Sequence, residues 1–190
     1  AVEMTLVSAA LARDLGAGAV VLHLGETDIP RDRSIGLARV VRSEGAASAN
    51  AARTRRELEA EREAKVAPLL EAAVASLREI LDACPSGLVL GIENRNYYHQ
   101  IPLPREAVEI MERTGSPRVR YWHDVGHAHA LEALGFLPHL ETLRLMVPYL
   151  YGMHLHDAIF TADHKAPGMG EINFASILAL VPTDIVKVLE

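Results

Sequence analysis

The sequence has a single cysteine, Cys84, in 190 residues. One thiol excludes an intramolecular disulfide and a cysteine-based zinc cluster. Because Cys84 follows an apolar helical stretch and precedes Pro85, we expect it to be a buried structural thiol. Runs of lysine and arginine are also absent, and the net charge is −6. Proteins that bind duplex nucleic acid usually carry a basic stripe, so this composition disfavours a nucleic-acid partner.

Long hydrophobic runs are absent as well. No window reaches the roughly 18–20 apolar residues that a membrane span requires, which disfavours a membrane partner. The first residues lack the basic and apolar segments of a signal peptide, so we expect a cytoplasmic protein. Overall, 49% of the residues are hydrophobic and 23% are charged, which is typical of a globular protein with one core.

Short apolar runs alternate with segments of helical periodicity. The runs predict strands at 19–23, 88–93, 119–124, 149–156 and 184–190. Helical spacing covers 2–15, 46–83, 105–114, 128–146 (one or two helices) and 173–181. The polar segments 26–45 and 157–171 are predicted to be loops. Alternating strands and helices indicate βα units around a parallel sheet.

A residue of the metal-ligand type lies at or near the C-terminal end of every predicted strand. These residues are His23, Glu93, Asp124, His154 with His156, and Glu190. Parallel strands bring such ends to one face, where carboxylates and imidazoles suit a divalent metal. We therefore predict an α/β TIM (β/α)8 barrel rather than an open doubly wound sheet, which concentrates its site at one switch point. Since eight strands need about 250 residues, we expect only part of the barrel here.

Several of these residues have simpler interpretations. Glu93 ends an apolar strand, where a carboxylate is costly unless it is paired with a cation, so a salt bridge to Arg95 or Arg105 is the alternative. For His23 the alternative is a hydrogen-bonded core histidine. Gly126 permits a tight turn between Asp124 and His127.

The last part of the chain leaves two points open. His154 and His156 share a face of their strand, so spacing does not say which of them binds a metal. Gly168 and Gly170 precede a helix and either present amides to an anion or form simple turns. His123, His129 and His139 are predicted to be non-ligands. Because side chains alternate along a strand, the side chain of His123 should point away from the site, and His129 and His139 should lie on helices.

In combination, these motifs resemble the xylose isomerase-like TIM barrels, which include sugar-phosphate isomerases and epimerases and the endonuclease IV repair enzymes. The resemblance rests on His23-Leu-Gly25, Glu93-Asn94, Asp124-Val-Gly-His127, His154-Leu-His156-Asp157, the loop from His164 to Gly170, and Glu190. It implies that residues 1–190 form a single barrel domain with the third to seventh strands, a fragment lacking the first two strands and the last. A homodimer would fit the family.

The resemblance also implies a ligand set. Glu93, Asp124, His154 and Glu190 would bind one divalent ion, for which Mn²⁺, Co²⁺, Mg²⁺ and Zn²⁺ are the candidates. His154 is preferred to His156 because the family pattern His-x-x-Asp matches His154 to Asp157. In the repair enzymes, the positions of His23, His127 and His164 hold a second and a third zinc. Their pattern expects an aspartate two residues before His164, where this chain has Ala162.

The function that follows from the resemblance is isomerisation or epimerisation of a small sugar, sugar phosphate or related hydroxy-carbonyl compound through an enediolate. Glu93 and Glu190 would be the acid–base pair, and the remaining site residues would bind substrate: Asn94, His127, His164 and His23. The alternatives are an endonuclease IV-like zinc nuclease for abasic DNA and a non-catalytic metal-binding barrel. Dehydration of inosose-type substrates shares the same enolisation chemistry.

Overall fold

The computed structural model describes residues 1–190, and its centre is one parallel sheet of five strands. In the order in which they lie in the sheet, the strands are β1 (Ala19–Leu22), β3 (Val89–Glu93), β5 (Val119–Asp124), β6 (Leu150–Leu155) and β9 (Val186–Leu189). All four neighbouring pairs are parallel. Each strand lies where an apolar run predicted it. The sheet curls as part of a TIM barrel, which confirms the predicted fold class.

Helices connect the strands. They are α1 (Val2–Asp14), α2 (Arg31–Glu44), α3 (Ala49–Ala83), α4 (Pro104–Thr114), α5 (Val125–Ala133), α6 (His139–Met146) and α7 (Phe174–Leu178). The helix α3 begins at Ser48, whose hydroxyl accepts a hydrogen bond from the amide of Ala51 at 3.1 Å. None of the seven helices combines the length and apolarity that crossing a membrane requires.

The prediction of a loop over 26–45 is wrong, because most of that segment is α2. Its buried side chains, Ser34, Leu37 and Val41, recur every three or four residues. Leu37 and Val41 belong to a small core that also contains Leu58 of α3. Burial of this face stabilises the helix, although the polar composition of the segment does not predict a helix.

The prediction of a loop over 157–171 is also wrong in part. Its first half is a hairpin of β7 (Asp157–Ile159) and β8 (Ala162–Lys165). A second small antiparallel pair joins β2 (Gly25–Glu26) to β4 (Gln100–Ile101). Both pairs follow strands of the main sheet and therefore lie on the side of the barrel where the strands end.

The main core lies between the sheet and its helices. Ile92, Tyr121 and Met153 are fully buried on three central strands and pack with Leu77 of α3 and Ile110 of α4. Because side chains alternate along a strand, the neighbours of these residues face the barrel interior. Cys84 is buried in the same core, which confirms the prediction for the thiol.

Candidate metal centre

Three predicted ligands meet at the C-terminal ends of adjacent strands. Donor atoms of Glu93, Asp124 and His154 all lie within 4.8 Å of one another. Asp124 and His154 are register partners on β5 and β6, and Glu93 ends the neighbouring β3. Both carboxylates are buried, with at most 1% of Glu93 exposed. The parallel sheet thus gathers side chains that are far apart in the sequence.

The carboxylate of Glu190, which follows β9, also lies close to the imidazole of His154. Its Oε2 lies 3.2 Å from Nδ1 of His154, and that nitrogen is 2.6 Å from Oε1 of Glu93 and 3.7 Å from Oδ2 of Asp124. Three carboxylates therefore surround one imidazole nitrogen. Glu190 is the most exposed of the four side chains.

The protonation of these groups follows from their contacts. Burial raises the pKa of Glu93, but hydrogen bonds from His154 and His23 outweigh it and lower that pKa to about 2. The pKa of Asp124 is also lowered despite burial, because the imidazoles of His154 and His156 lie close to its carboxylate. Burial lowers the pKa of His154, but the neighbouring carboxylates of Asp124 and Glu93 prevail and raise it to about 10. The centre therefore stabilises a positive charge among ionised carboxylates.

This donor set fits a divalent cation. Buried carboxylates that share one point are costly unless a cation or a proton compensates them. Three carboxylates and one imidazole form a mixed, fairly hard ligand set, which suits Mn²⁺, Co²⁺, Mg²⁺ or Zn²⁺. A metal ion would replace the proton of His154 as the compensating charge.

Asp124 is held in place by its surroundings. Its Oδ1 accepts the backbone N–H of His127 at 2.7 Å, and its Oδ2 lies 2.9 Å from Nε2 of His156. The side-chain amide of Asn94 bonds both backbone groups of Asp124, as a donor to the carbonyl at 2.9 Å and an acceptor from the N–H at 2.8 Å. Both polar atoms of the Asn94 side chain are thus hydrogen-bonded to the backbone of Asp124.

A second polar cluster adjoins the first. Asp163 lies between two imidazoles, with Oδ1 at 3.0 Å from Nδ1 of His164 and Oδ2 at 3.8 Å from Nε2 of His127. The amide of Asn96 donates to Asp163 at 2.8 Å. Nε2 of His164 is 3.6 Å from Glu190, which joins the two clusters. Asp163 therefore occupies the space between the imidazoles, although it stands one position later than the pattern of the repair enzymes expects.

His23 and Arg95 complete the surroundings of Glu93. Nε2 of His23 and Nη1 of Arg95 lie 2.6 Å and 3.1 Å from Oε2 of Glu93. The side chain of His23 is 58% exposed, so the alternative of a core histidine is wrong. The alternative ion pair between Glu93 and Arg95 is present, together with the contact between Glu93 and His154.

The glycine-rich loop after the hairpin binds a carboxylate of the chain itself. Asp157 Oδ2 accepts the backbone N–H groups of Gly168 and Gly170 at 2.9 and 2.8 Å. Its Oδ1 accepts those of Ala158 and Ile172 at 2.9 and 3.0 Å. The anion at these glycine amides is therefore Asp157. No sequence pattern indicates which carboxylate these amides bind.

Three further histidines lie away from the centre. His123 faces outward from β5, and its Nε2 is 2.9 Å from Nε2 of His139 in a buried pair. His129 and His139 are on α5 and α6. The predicted orientation of His123 and the predicted helical positions of the other two are confirmed.

A curled parallel sheet with this cluster at its strand ends defines a TIM-barrel protein with a candidate divalent-metal centre. The chain belongs to the xylose isomerase-like TIM barrel family, whose model matches residues 1–184. The predicted family is thereby confirmed. A comparison with curated proteins found no match.

Solved structures share the fold at low identity. A D-tagatose 3-epimerase-like protein is 20% identical with a TM-score of 0.65, and an L-ribulose 3-epimerase is 16% identical with a TM-score of 0.64. A xylose isomerase domain protein from Planctomyces limnophilus is 14% identical with a TM-score of 0.64. Each match covers 100% of this chain but only 61%, 53% and 58% of the respective structure. The chain thus spans about three fifths or less of their length.

Proposed function

We propose that this chain carries the centre of a divalent-metal-dependent isomerase or epimerase for a small sugar, sugar phosphate or related hydroxy-carbonyl compound. The observation that carries the proposal is the convergence of Glu93, Asp124 and Glu190 on Nδ1 of His154. The printed names of two structural neighbours, both 3-epimerases or epimerase-like, support the substrate class.

The four converging side chains would hold the ion. When bound, a divalent cation would supply Lewis-acid stabilisation of the negative charge that develops on adjacent carbonyl and hydroxyl oxygens. The protein contributes carboxylates that are oriented by other contacts, since both oxygens of Asp124 and Oε2 of Glu93 have hydrogen-bonding partners other than His154.

Glu93 and Glu190 are the proposed acid–base pair. They end β3 and β9, which are separated in the sheet by β5 and β6, so their carboxylates approach His154 from different strands. A substrate carbon bound between them could lose a proton to one glutamate and receive one from the other. Return of the proton to the opposite face of the same carbon inverts that centre. Return to the adjacent carbon, together with transfer of the hydroxyl proton to the former carbonyl oxygen, moves the carbonyl group.

His127, His164 and His23 are proposed to bind substrate oxygens. Nδ1 of His127 donates to the carbonyl of Asn94 at 2.9 Å, which leaves the lone pair of Nε2 free to accept from a hydroxyl. His164 and His23 are both about half exposed at the mouth of the site. Asn94, predicted as a substrate ligand, is better assigned to holding Asp124, because its amide is already bonded there.

The test is Glu93→Gln, with the exposed Glu79→Gln on α3 as a matched control. Protein with added Mn²⁺ would be incubated with a panel of ketoses and ketose phosphates in deuterated water. We expect wild type and the control to exchange a substrate C–H for deuterium and the Glu93 variant to lose turnover, with circular dichroism unchanged. Full activity in a folded Glu93 variant would contradict the proposal.

Asp163 supports a second candidate, an endonuclease IV-like zinc nuclease, because it supplies a carboxylate between His127 and His164. The net charge of −6 argues against a DNA surface. A nicking assay on an abasic duplex with zinc separates the two candidates. Nicking without sugar exchange would favour the nuclease.

A further inference from the structure

His156 is a buried imidazole beside the metal centre with no role in the proposed chemistry. It is 0% exposed, and both ring nitrogens have partners. Nε2 lies 2.9 Å from Oδ2 of Asp124, and Nδ1 lies 2.9 Å from the backbone nitrogen of His164. The ring also stacks on the imidazole of His164, with centroids 4.3 Å apart.

These contacts determine which ring nitrogen carries hydrogen. Nδ1 of His156 has two neighbours, the backbone N–H of His164 at 2.9 Å and the carbonyl of Asp157 at 3.4 Å. The closer one can only donate, so Nδ1 presents its lone pair to it. The N–H of the neutral ring is then on Nε2, and it donates to the carboxylate of Asp124. Neither nitrogen can bind a metal unless one of these two hydrogen bonds is broken.

We propose that His156 is a positioning residue that fixes the carboxylate of Asp124 for the metal and links it to the hairpin that carries His164. The inference rests on the proposed metal centre. The amide of His127 holds Oδ1 of Asp124 and His156 holds Oδ2, so rotation of the carboxylate breaks at least one hydrogen bond. Such partners of metal ligands set ligand orientation and basicity.

Gly126 provides the space for this ring. A Cβ at Gly126 would lie 2.1 Å from Cε1 and 2.5 Å from Nδ1 of His156. The backbone of Gly126 is helical and does not adopt a positive φ, so its conformation does not require glycine. Glycine is required here because any Cβ would overlap the ring of His156. The predicted reason, a tight turn between Asp124 and His127, is therefore wrong.

The first test is the protonation of His156 in the metal-free protein, read by long-range ¹H–¹⁵N correlation in ¹⁵N-histidine-labelled samples. We expect hydrogen on Nε2 and a lone pair on Nδ1. Addition of Zn²⁺ should give a ligation shift at His154 and leave His156 with the same protonation. Hydrogen on Nδ1, or a ligation shift at His156, would overturn the proposal.

The second test is Mn²⁺ affinity by calorimetric titration, with folding checked by urea unfolding. His156→Phe keeps the ring and removes both hydrogen bonds, and Gly126→Ala displaces the ring without changing its chemistry. We expect each to weaken Mn²⁺ binding about 10- to 100-fold. His156→Gln, which can still donate to Asp124, should recover part of the loss. His129→Phe is the matched control and should bind Mn²⁺ like wild type.

The outcomes separate the two proposals. Unchanged Mn²⁺ affinity in folded His156→Phe and Gly126→Ala proteins would overturn the role of His156. No Mn²⁺ binding by folded wild type would refute the metal centre, and with it the role of His156 toward a metal. If His156→Phe fails to fold, the Gly126→Ala affinity and the wild-type protonation state decide the question.

Discussion

Asp124 and Asp157 are equally buried carboxylates with different kinds of partners. Asp124 is held by one backbone amide and by imidazoles, whereas Asp157 is held by four backbone amides. The imidazole of His154 can exchange its proton for a metal ion, but backbone amides cannot. This difference supports the proposed role of Asp124 in the metal centre and indicates that Asp157 stabilises the structure of the loop.

Asp157→Asn should therefore loosen the loop. An amide in place of the carboxylate offers one acceptor oxygen instead of two and turns an –NH₂ group toward backbone N–H donors. We expect the free energy of unfolding to fall by about 1.5–3 kcal/mol, the range for a lost hydrogen bond to a charged group. Urea unfolding measures this, and hydrogen exchange at Gly168 and Gly170 should accelerate. Unchanged stability and exchange would show that the carboxylate is dispensable.

At the residue scale, the strand-end positions were predictable because an apolar run that stops at a charged residue marks both a strand and its end. This pattern identifies Glu93, Asp124 and Glu190, whereas the choice of His154 over His156 depends on the family pattern His-x-x-Asp. The hydrogen-bonding partners of His156 and Asp157 were not predictable, since a strand's period places His154 and His156 on one face without saying what each contacts.

Among the strands, the side chain of Trp122 on β5 packs next to the imidazole of His154. Its ring lies 5.3 Å from that of His154 and is flanked by glycines on the two neighbouring strands. A Cβ at Gly152 would lie 2.4 Å from Cζ3 of Trp122, and one at Gly91 would lie 3.1 Å from Cε3. The three central strands thus accommodate one large side chain by leaving space on both sides of it.

Gly152→Ala should be destabilising because the added methyl group overlaps the indole. We expect the free energy of unfolding to fall by about 1–3 kcal/mol, as for overpacked cores. Gly36→Ala on α2 is the control, since a Cβ there meets nothing within 4 Å. It should be neutral or stabilise by up to about 1 kcal/mol. Equal denaturant midpoints for the two variants would show that a methyl group at position 152 does not overlap the indole of Trp122.

The helices and strands were mostly predictable from periodicity, and the exceptions have a physical cause. The sequence of α2 is polar and contains Gly36, so its composition indicated a loop. Its helix depends on Leu37 and Val41 packing against α3, a contact between segments. Their helical spacing was the one signal available. The β7–β8 hairpin is short and polar, and its sequence lacks the alternating apolar pattern of a strand.

For the molecule as a whole, the buried pair of His123 and His139 predicts acid sensitivity. Burial lowers the pKa of His123 to about 3 and that of His139 to about 4 from an ordinary value of 6.5. Between 6.5 and those values the unfolded chain binds more protons than the folded chain, so stability falls as the pH falls. The slope is at most about 1.4 kcal/mol per pH unit for each imidazole.

Urea unfolding at several pH values from about 7 to 5 measures this slope. The double variant His123→Leu/His139→Leu removes both imidazoles, and replacing both partners of a buried hydrogen bond by apolar groups is often nearly neutral. We expect its stability to depend less steeply on pH than that of wild type. Identical slopes would show that the pair does not titrate as described.

The proposed metal centre binds one divalent ion through Glu93, Asp124, His154 and Glu190. The decisive measurement is elemental analysis of wild type, Glu93→Gln and Glu79→Gln proteins after loading with Mn²⁺ and dialysis. We expect one ion per chain in wild type and in the Glu79 control, and loss of that ion in folded Glu93→Gln protein. Folded wild type without an ion, or a Glu93 variant that retains it, would contradict this metal site.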